Sequence, residues 1–126
     1  MAVFKKHYTR DEANALLPRV RQWLAEVQQL RAVIENCEEQ LNPSLALGDD
    51  LGGPIVTRYN RALSAIKEIL VKFHQREIQV KDLDRGLIDF PAYIGGKEVF
   101  LCWETGEEDV EFWHDLSSGY AGREKL

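Results

Sequence analysis

The stretch that decides the fold is Lys81–Arg123, KDLDRGLIDFPAYIGGKEVFLCWETGEEDVEFWHDLSSGYAGR. Lys81 to Gly86 is a turn-rich connector, with Gly86 free to take a positive φ. Leu87–Ile94 reads as a strand that Pro91 restricts to an edge or a bulge. Gly95-Gly96 is a two-residue hairpin signal. Val99–Trp103 is the most strand-like run in the chain, apolar throughout and therefore central. Thr105–Asp109 turns the chain again, and Val110–His114 makes a third strand. The expectation is a small three-stranded antiparallel meander.

Alternation along these strands divides the side chains between two faces. Val110, Phe112 and His114 share one face, and Glu111 and Trp113 lie on the other. His114 thus ends an apolar face where the strand opens into a loop. It reads either as a ligand-binding histidine or as one that caps the core by donating to a backbone carbonyl. Asp89 is a carboxylate among aliphatic and aromatic neighbours. Burying it unpaired is costly, so it requires a partner: Arg85, Arg123, His114 or a cation. Trp103 and Trp113 are core aromatics or, exposed together, a stacking platform. The tail Ser117–Arg123 is small-residue-rich, with Tyr120 and Arg123 in it, and can fold over the sheet to bring Arg123 to an acid.

Upstream, the period changes from two to 3.6. Thr9-Arg10-Asp11-Glu12 has the spacing of a capping box. Apolar residues then recur in steps of three and four from Ala13 through Leu17, Val20, Leu24 and Val27 to Cys37 and Leu41. Pro18 interrupts the stripe, predicting a kink or short break near Leu17. Asn42–Gly53, NPSLALGDDLGG, reads as a loop; its Asp49 and Asp50 lack the alternating ligands of a calcium loop. A second helix starts at Pro54 and runs to about Glu77. Its stripe is Ile55, Tyr59, Leu63, Ile66, Leu70 and Phe73, widened by Ala62 and Ile69. The rods Pro18–Leu41 and Pro54–Glu77 are each roughly 36 Å long, which predicts a long antiparallel helical hairpin. Arg21 and Arg58 read as parts of its wet faces, His7 and His74 as boundary histidines. The fold class is α+β: a hairpin over 10–77, its first helix kinked at Pro18, packed against the meander of 78–126 in a single domain over 1–126.

Composition sets bounds. The chain has 126 residues, 44% hydrophobic and 29% charged, the make-up of a globular domain able to bury a core without staples. No apolar run approaches the roughly 20 residues of a membrane helix, and the amino terminus lacks the apolar core of a signal peptide. The expected location is the cytoplasm, with Cys37 and Cys102 as buried reduced thiols. The net charge is −5, and it is unevenly placed. Up to Val80 eleven Lys and Arg face ten acids; from Lys81 on, five face eleven. An acidic carboxy-terminal third argues against a nucleic-acid partner there.

The ordered set KDLDRGLIDFP, LCW, GE, WHD and GYAGR, together with ANALLPRVR at Ala13–Arg21, resembles a small prokaryotic family catalogued as domain of unknown function 2203. The resemblance covers nearly the whole chain and implies no activity. Its matched polar positions are Asp82, Asp84, Asp89, Glu107, His114 and Arg123.

Two readings of function follow. The first is a non-enzymatic binding or assembly module, a homodimer through its helices, with the acidic sheet region holding a cation or a protein partner. Absent are a serine or cysteine nucleophile with an evident base, a paired-histidine metal motif and a phosphate loop. The second is a small metal-dependent hydrolase or transferase centred on His114, with Asp89 and Glu107 or Asp84 as oxygen ligands of a divalent ion. Asp82, Trp103, Trp113, Tyr120 and Arg123 are further binding candidates in either case.

Overall fold

The structure, a computed structural model, describes residues 1–47 and 53–126. It is α+β: helices α1 (Arg10–Leu47) and α2 (Pro54–Gln75), then strands β1 (Gln79–Asp82), β2 (Leu87–Ile94), β3 (Lys97–Glu104), β4 (Phe112–Asp115) and β5 (Glu124–Lys125). All neighbours in the sheet are antiparallel and follow chain order, β1-β2-β3-β4-β5. The meander therefore has five strands where the sequence predicts three. β2 and the central β3 occupy the expected places; β1 and β5 are additional edges. No described helix is long and apolar enough to cross a membrane.

The chain forms two compact units, Met1–Gln22 with Lys72–Leu126, and Trp23–Val71. In the first, α1 starts on the expected capping box: the Glu12 N–H donates to Thr9 Oγ1 at 3.1 Å and the Thr9 N–H to Glu12 Oε1 at 3.0 Å. The helix runs unbroken through Pro18, so the predicted break near Leu17 is absent. Leu17 and Val20 flank the proline and are buried, and their packing offsets the one hydrogen bond that proline forfeits. The helix also continues past Leu41 to Leu47, into the predicted loop. Asp49 and Asp50 lie outside the described residues.

α2 ends in a Schellman arrangement. The Ile78 N–H donates to the Phe73 carbonyl and the Glu77 N–H to that of His74, with Phe73 and Ile78 both buried. Glu77 takes the left-handed position, φ 57°, usually given to glycine. Its carboxylate is occupied there, accepting from the Lys5 N–H.

One face of the sheet carries Ile88, Phe90, Ala92, Val99, Leu101 and Trp103, all buried. The first turns of α1, and Tyr8 two residues ahead of them, meet this face. The Tyr8 ring stands edge-on to Phe90 at 5.3 Å and the Arg21 guanidinium lies 5.6 Å over Trp103. Asn14 Oδ1 accepts from the Val110 N–H, while Arg10 and Arg21 donate to the carbonyls of Val110 and Glu108. Arg21 is thus a structural donor and not merely part of a wet face. Pro91 sits inside β2, yet β1 pairs only as far as Asp89. The Pro91 carbonyl accepts instead from the Tyr8 N–H at 2.7 Å. A residue's N–H and C=O point to the same strand edge, so the missing donor costs the sheet no ladder bond.

In the second unit Trp23, Leu24, Val27, Cys37, Ala62 and Ile69 are buried. Arg58, exposed as expected, also reaches from α2 to Cys37 Sγ at 3.4 Å and Asn36 Oδ1 at 3.3 Å. The expected apolar stripe of α2 is rotated. Ala62 and Ile69 carry the burial, while Leu63 and Leu70 are exposed by 43% and 36%.

Candidate functional site

The Gly95-Gly96 turn, with φ of 58° and 79°, has the two positive values of a type I′ hairpin. It sets Ile94 opposite Lys97, and the same register sets Asp89 opposite Cys102. Phe100 stands opposite His114 on β4. Directly opposed residues project to the same side of a sheet. Asp89, Cys102, Phe100 and His114 therefore share the face turned away from Phe90 and Trp103. They border a cavity of about 280 Å³, walled also by Leu87 and Leu116, with Lys81 and Tyr120 among its lining.

Three side chains in this cavity carry chemistry, and all are buried: Asp89 is 1% exposed, His114 2% and Cys102 0%. His114 Nδ1 lies 2.6 Å from the Asp115 carbonyl and Nε2 lies 2.9 Å from Asp89 Oδ2. A carbonyl only accepts, so Nδ1 carries a hydrogen and Nε2 shares a further proton with Asp89. Of the two sequence alternatives for His114, the capping contact with a backbone carbonyl is present, and its other nitrogen meets Asp89, for which His114 was one of the expected partners. The other oxygen of Asp89, Oδ1, is fully buried and has no hydrogen-bond partner of normal geometry among the described residues, the Cys102 thiol being the further group that acts on this carboxyl. Burial pushes the Asp89 carboxyl above its ordinary range, with His114 opposing the shift. Burial, and then the neighbouring Asp89, push the Cys102 thiol up to about 12. Such a thiol is a poor nucleophile in the absence of a cation.

Ligand atoms of Asp89, Cys102 and His114 lie within 4.8 Å of one another. A tetrahedral zinc-type ion with bonds of about 2.0–2.3 Å places its ligands roughly 3.3–3.8 Å apart. The surroundings suit such an ion. The Asp115 carbonyl fixes the tautomer that leaves the Nε2 lone pair available, the usual outer contact of a ligating histidine. Arg123 Nη1 points at Cys102 Sγ from 3.7 Å, a positive charge beside the sulfur.

Of the remaining sequence candidates, Tyr120 lines the cavity and the others lie around or away from it. Glu107 is engaged by both guanidinium nitrogens of Arg123 and accepts from the Glu104 N–H. It is not brought to His114. Asp84 is exposed in the β1–β2 turn, and Asp82 accepts from the Arg85 N–H in the same turn. Trp103 is buried on the opposite face, its indole N–H donating to the Glu107 carbonyl. Trp113 is paired with Leu101 and so also faces away from the cavity. Tyr120 is held between Arg85 and Arg123, 4.3 and 4.4 Å from its ring. Cys102 and Lys81 are the members that sequence reasoning missed, Cys102 because it was read only as a core thiol.

The amino-terminal segment borders this face as well. The Phe4 ring lies 5.4 Å from that of Phe100. Glu98 ties the segment down, accepting from the Val3 and Phe4 N–H groups and meeting His7 Nε2 at 2.8 Å. Those backbone donors, helped by His7, hold its carboxyl down at about 2. The imidazole of His7 also stacks on Tyr93.

Comparison with curated proteins and with solved structures found no match. A conserved family described only as uncharacterised does match, over residues 6–126. By that match, which spans nearly all of it, the chain belongs to the family DUF2203.

Proposed function

We propose that this protein is a metal-dependent binding module whose sheet cavity holds one divalent ion on Asp89 Oδ1, Cys102 Sγ and His114 Nε2. The observation that carries the reading is the buried, undonated Asp89 Oδ1 beside a thiol and an imidazole. Burying a carboxylate oxygen without a partner is costly, and a cation removes that cost. A mixed nitrogen, oxygen and sulfur set selects a borderline ion such as Zn²⁺ over Mg²⁺ or Ca²⁺. Three protein ligands leave a fourth position for a ligand from the cavity. Among the described residues lining the cavity, no carboxylate or imidazole remains beyond these ligands to act as a general base. Binding is therefore the better reading than hydrolysis. The buried, unpaired thiols fit the reducing cytoplasm that this reading assumes.

Equilibrium dialysis against zinc followed by elemental analysis tests it. One ion per chain is expected for the wild type and for Glu107→Gln, and none for His114→Ala. Metal-free wild type, or undiminished metal in His114→Ala, would end the reading.

A second proposal concerns the helices. We infer that they form an antiparallel hairpin that self-associates. Leu63, Ile66 and Leu70 on α2 follow the three-four spacing of one helical face, and Leu63 and Leu70 are exposed. Light scattering should give the mass of a dimer for the wild type and of a monomer for Leu63→Glu/Leu70→Glu. Equal masses for the two would refute it.

A further inference from the structure

We infer that the cavity ligand is a small organic monoanion, a carboxylate with a short apolar body, whose head sits between the metal position and Lys81 Nζ. This rests on the metal reading above and extends it from the ion to what the ion binds.

Charge and shape both point to such a ligand. Of the acids around the cavity, Asp115 is matched by Lys97 at 2.8 Å, Glu104 by Arg85 at 3.0 Å and Glu107 by Arg123, while Asp82, opposite Leu87, accepts from the Arg85 N–H in its own turn. A divalent ion with one carboxylate and one thiolate ligand is neutral in sum, since the imidazole adds nothing. Lys81, whose charge acts on Asp89 in the metal-free protein, is then left as the cation of the cavity lining once the ion takes that carboxylate. Its ammonium is held 5.1 Å over the Phe100 ring, which directs it across the cavity wall. Among the described residues no acid is in ion-pair contact with it. A single negative charge completes the balance, and a carboxylate oxygen is also a competent fourth ligand for the ion.

Shape sets the rest of the molecule. The walls are apolar, Leu87, Phe100 and Leu116, and the volume of about 280 Å³ lies at the lower end for small-molecule sites. A nucleotide or other polyanion of that bulk is excluded. An apolar body of one small ring or a short aliphatic chain matches the walls.

Co²⁺-loaded protein provides the test, because the ion's visible spectrum reports its coordination. Benzoate titrated into the wild type should shift the bands and saturate. Lys81→Met, at an exposed position, should bind Co²⁺ as before but benzoate at least about tenfold more weakly. Bands that do not respond to benzoate, respond equally in both proteins, or respond only to inorganic phosphate would overturn this inference and leave the metal reading standing. Absence of a thiolate-to-cobalt band in the loaded wild type would instead remove the metal reading and this inference with it.

Discussion

His114→Ala is expected to destabilise the metal-free protein by about 3 kcal/mol, at the lower end of the cost of breaking a buried ion pair. The imidazole is the hydrogen-bond partner of Asp89 Oδ2, and among the described residues Oδ1 has none of normal geometry, with only the Cys102 thiol acting on the carboxyl besides. Removing the imidazole strands a carboxyl that is 1% exposed. The carboxyl escapes part of the penalty by taking up a proton, since burial already raises its pKa and the variant lacks the His114 charge that opposes the rise. That fixes the pH dependence. A carboxyl whose folded pKa lies above its unfolded one favours folding only while protonated. The variant should therefore be least impaired at acid pH and lose stability as pH rises through the raised pKa. Asp89→Leu/His114→Leu replaces both partners with apolar groups on an apolar face, and should be much less destabilised than the sum of the single changes. Urea denaturation of the three variants from pH 4 to 8 measures this. Additive losses, or a His114→Ala loss independent of pH, would contradict the account of the pair.

Trp103→Ala should cost about 4 kcal/mol, the typical loss for a large aromatic in a core. Trp103 is 1% exposed in the central strand, covered by the Arg21 guanidinium, with its indole N–H on the Glu107 carbonyl. Domains of this size have only roughly 5–15 kcal/mol in total. The variant should melt far below the wild type, yet its folded fraction should keep full metal stoichiometry, because the indole lies on the face opposite Cys102. Thermal melting and metal analysis at low temperature check both parts. Loss of metal from the folded variant would mean that the two faces are not independent.

What the sequence made legible is what local chemistry controls. Gly95-Gly96 pins a hairpin because both residues take positive φ, so β2 begins and ends at the expected residues. The capping box forms because Thr9 and Glu12 need only each other. β1 and β5 were hidden for the opposite reason. QVKD has one apolar residue and EK has none; both become strands because β2 and β4 offer them an edge. Pro18 signalled a kink or short break, and the helix continues through it with Leu17 and Val20 packed beside the proline. At the site, charge alone suggested Glu107 as a ligand, but the folded tail gives it to Arg123. Cys102 could have been found: register counted back from the glycine turn places it opposite Asp89. An apolar-looking strand hid a donor whose importance lies in its partner across the ladder.

X-ray absorption at the zinc edge of the zinc-loaded protein addresses the central claim most directly, because it counts sulfur in the ion's shell. The account predicts one sulfur at about 2.3 Å with nitrogen and oxygen at about 2.0–2.2 Å, and loss of the sulfur in Cys102→Ser. A shell of oxygen and nitrogen alone in the wild type would show that the ion sits somewhere other than on Asp89, Cys102 and His114.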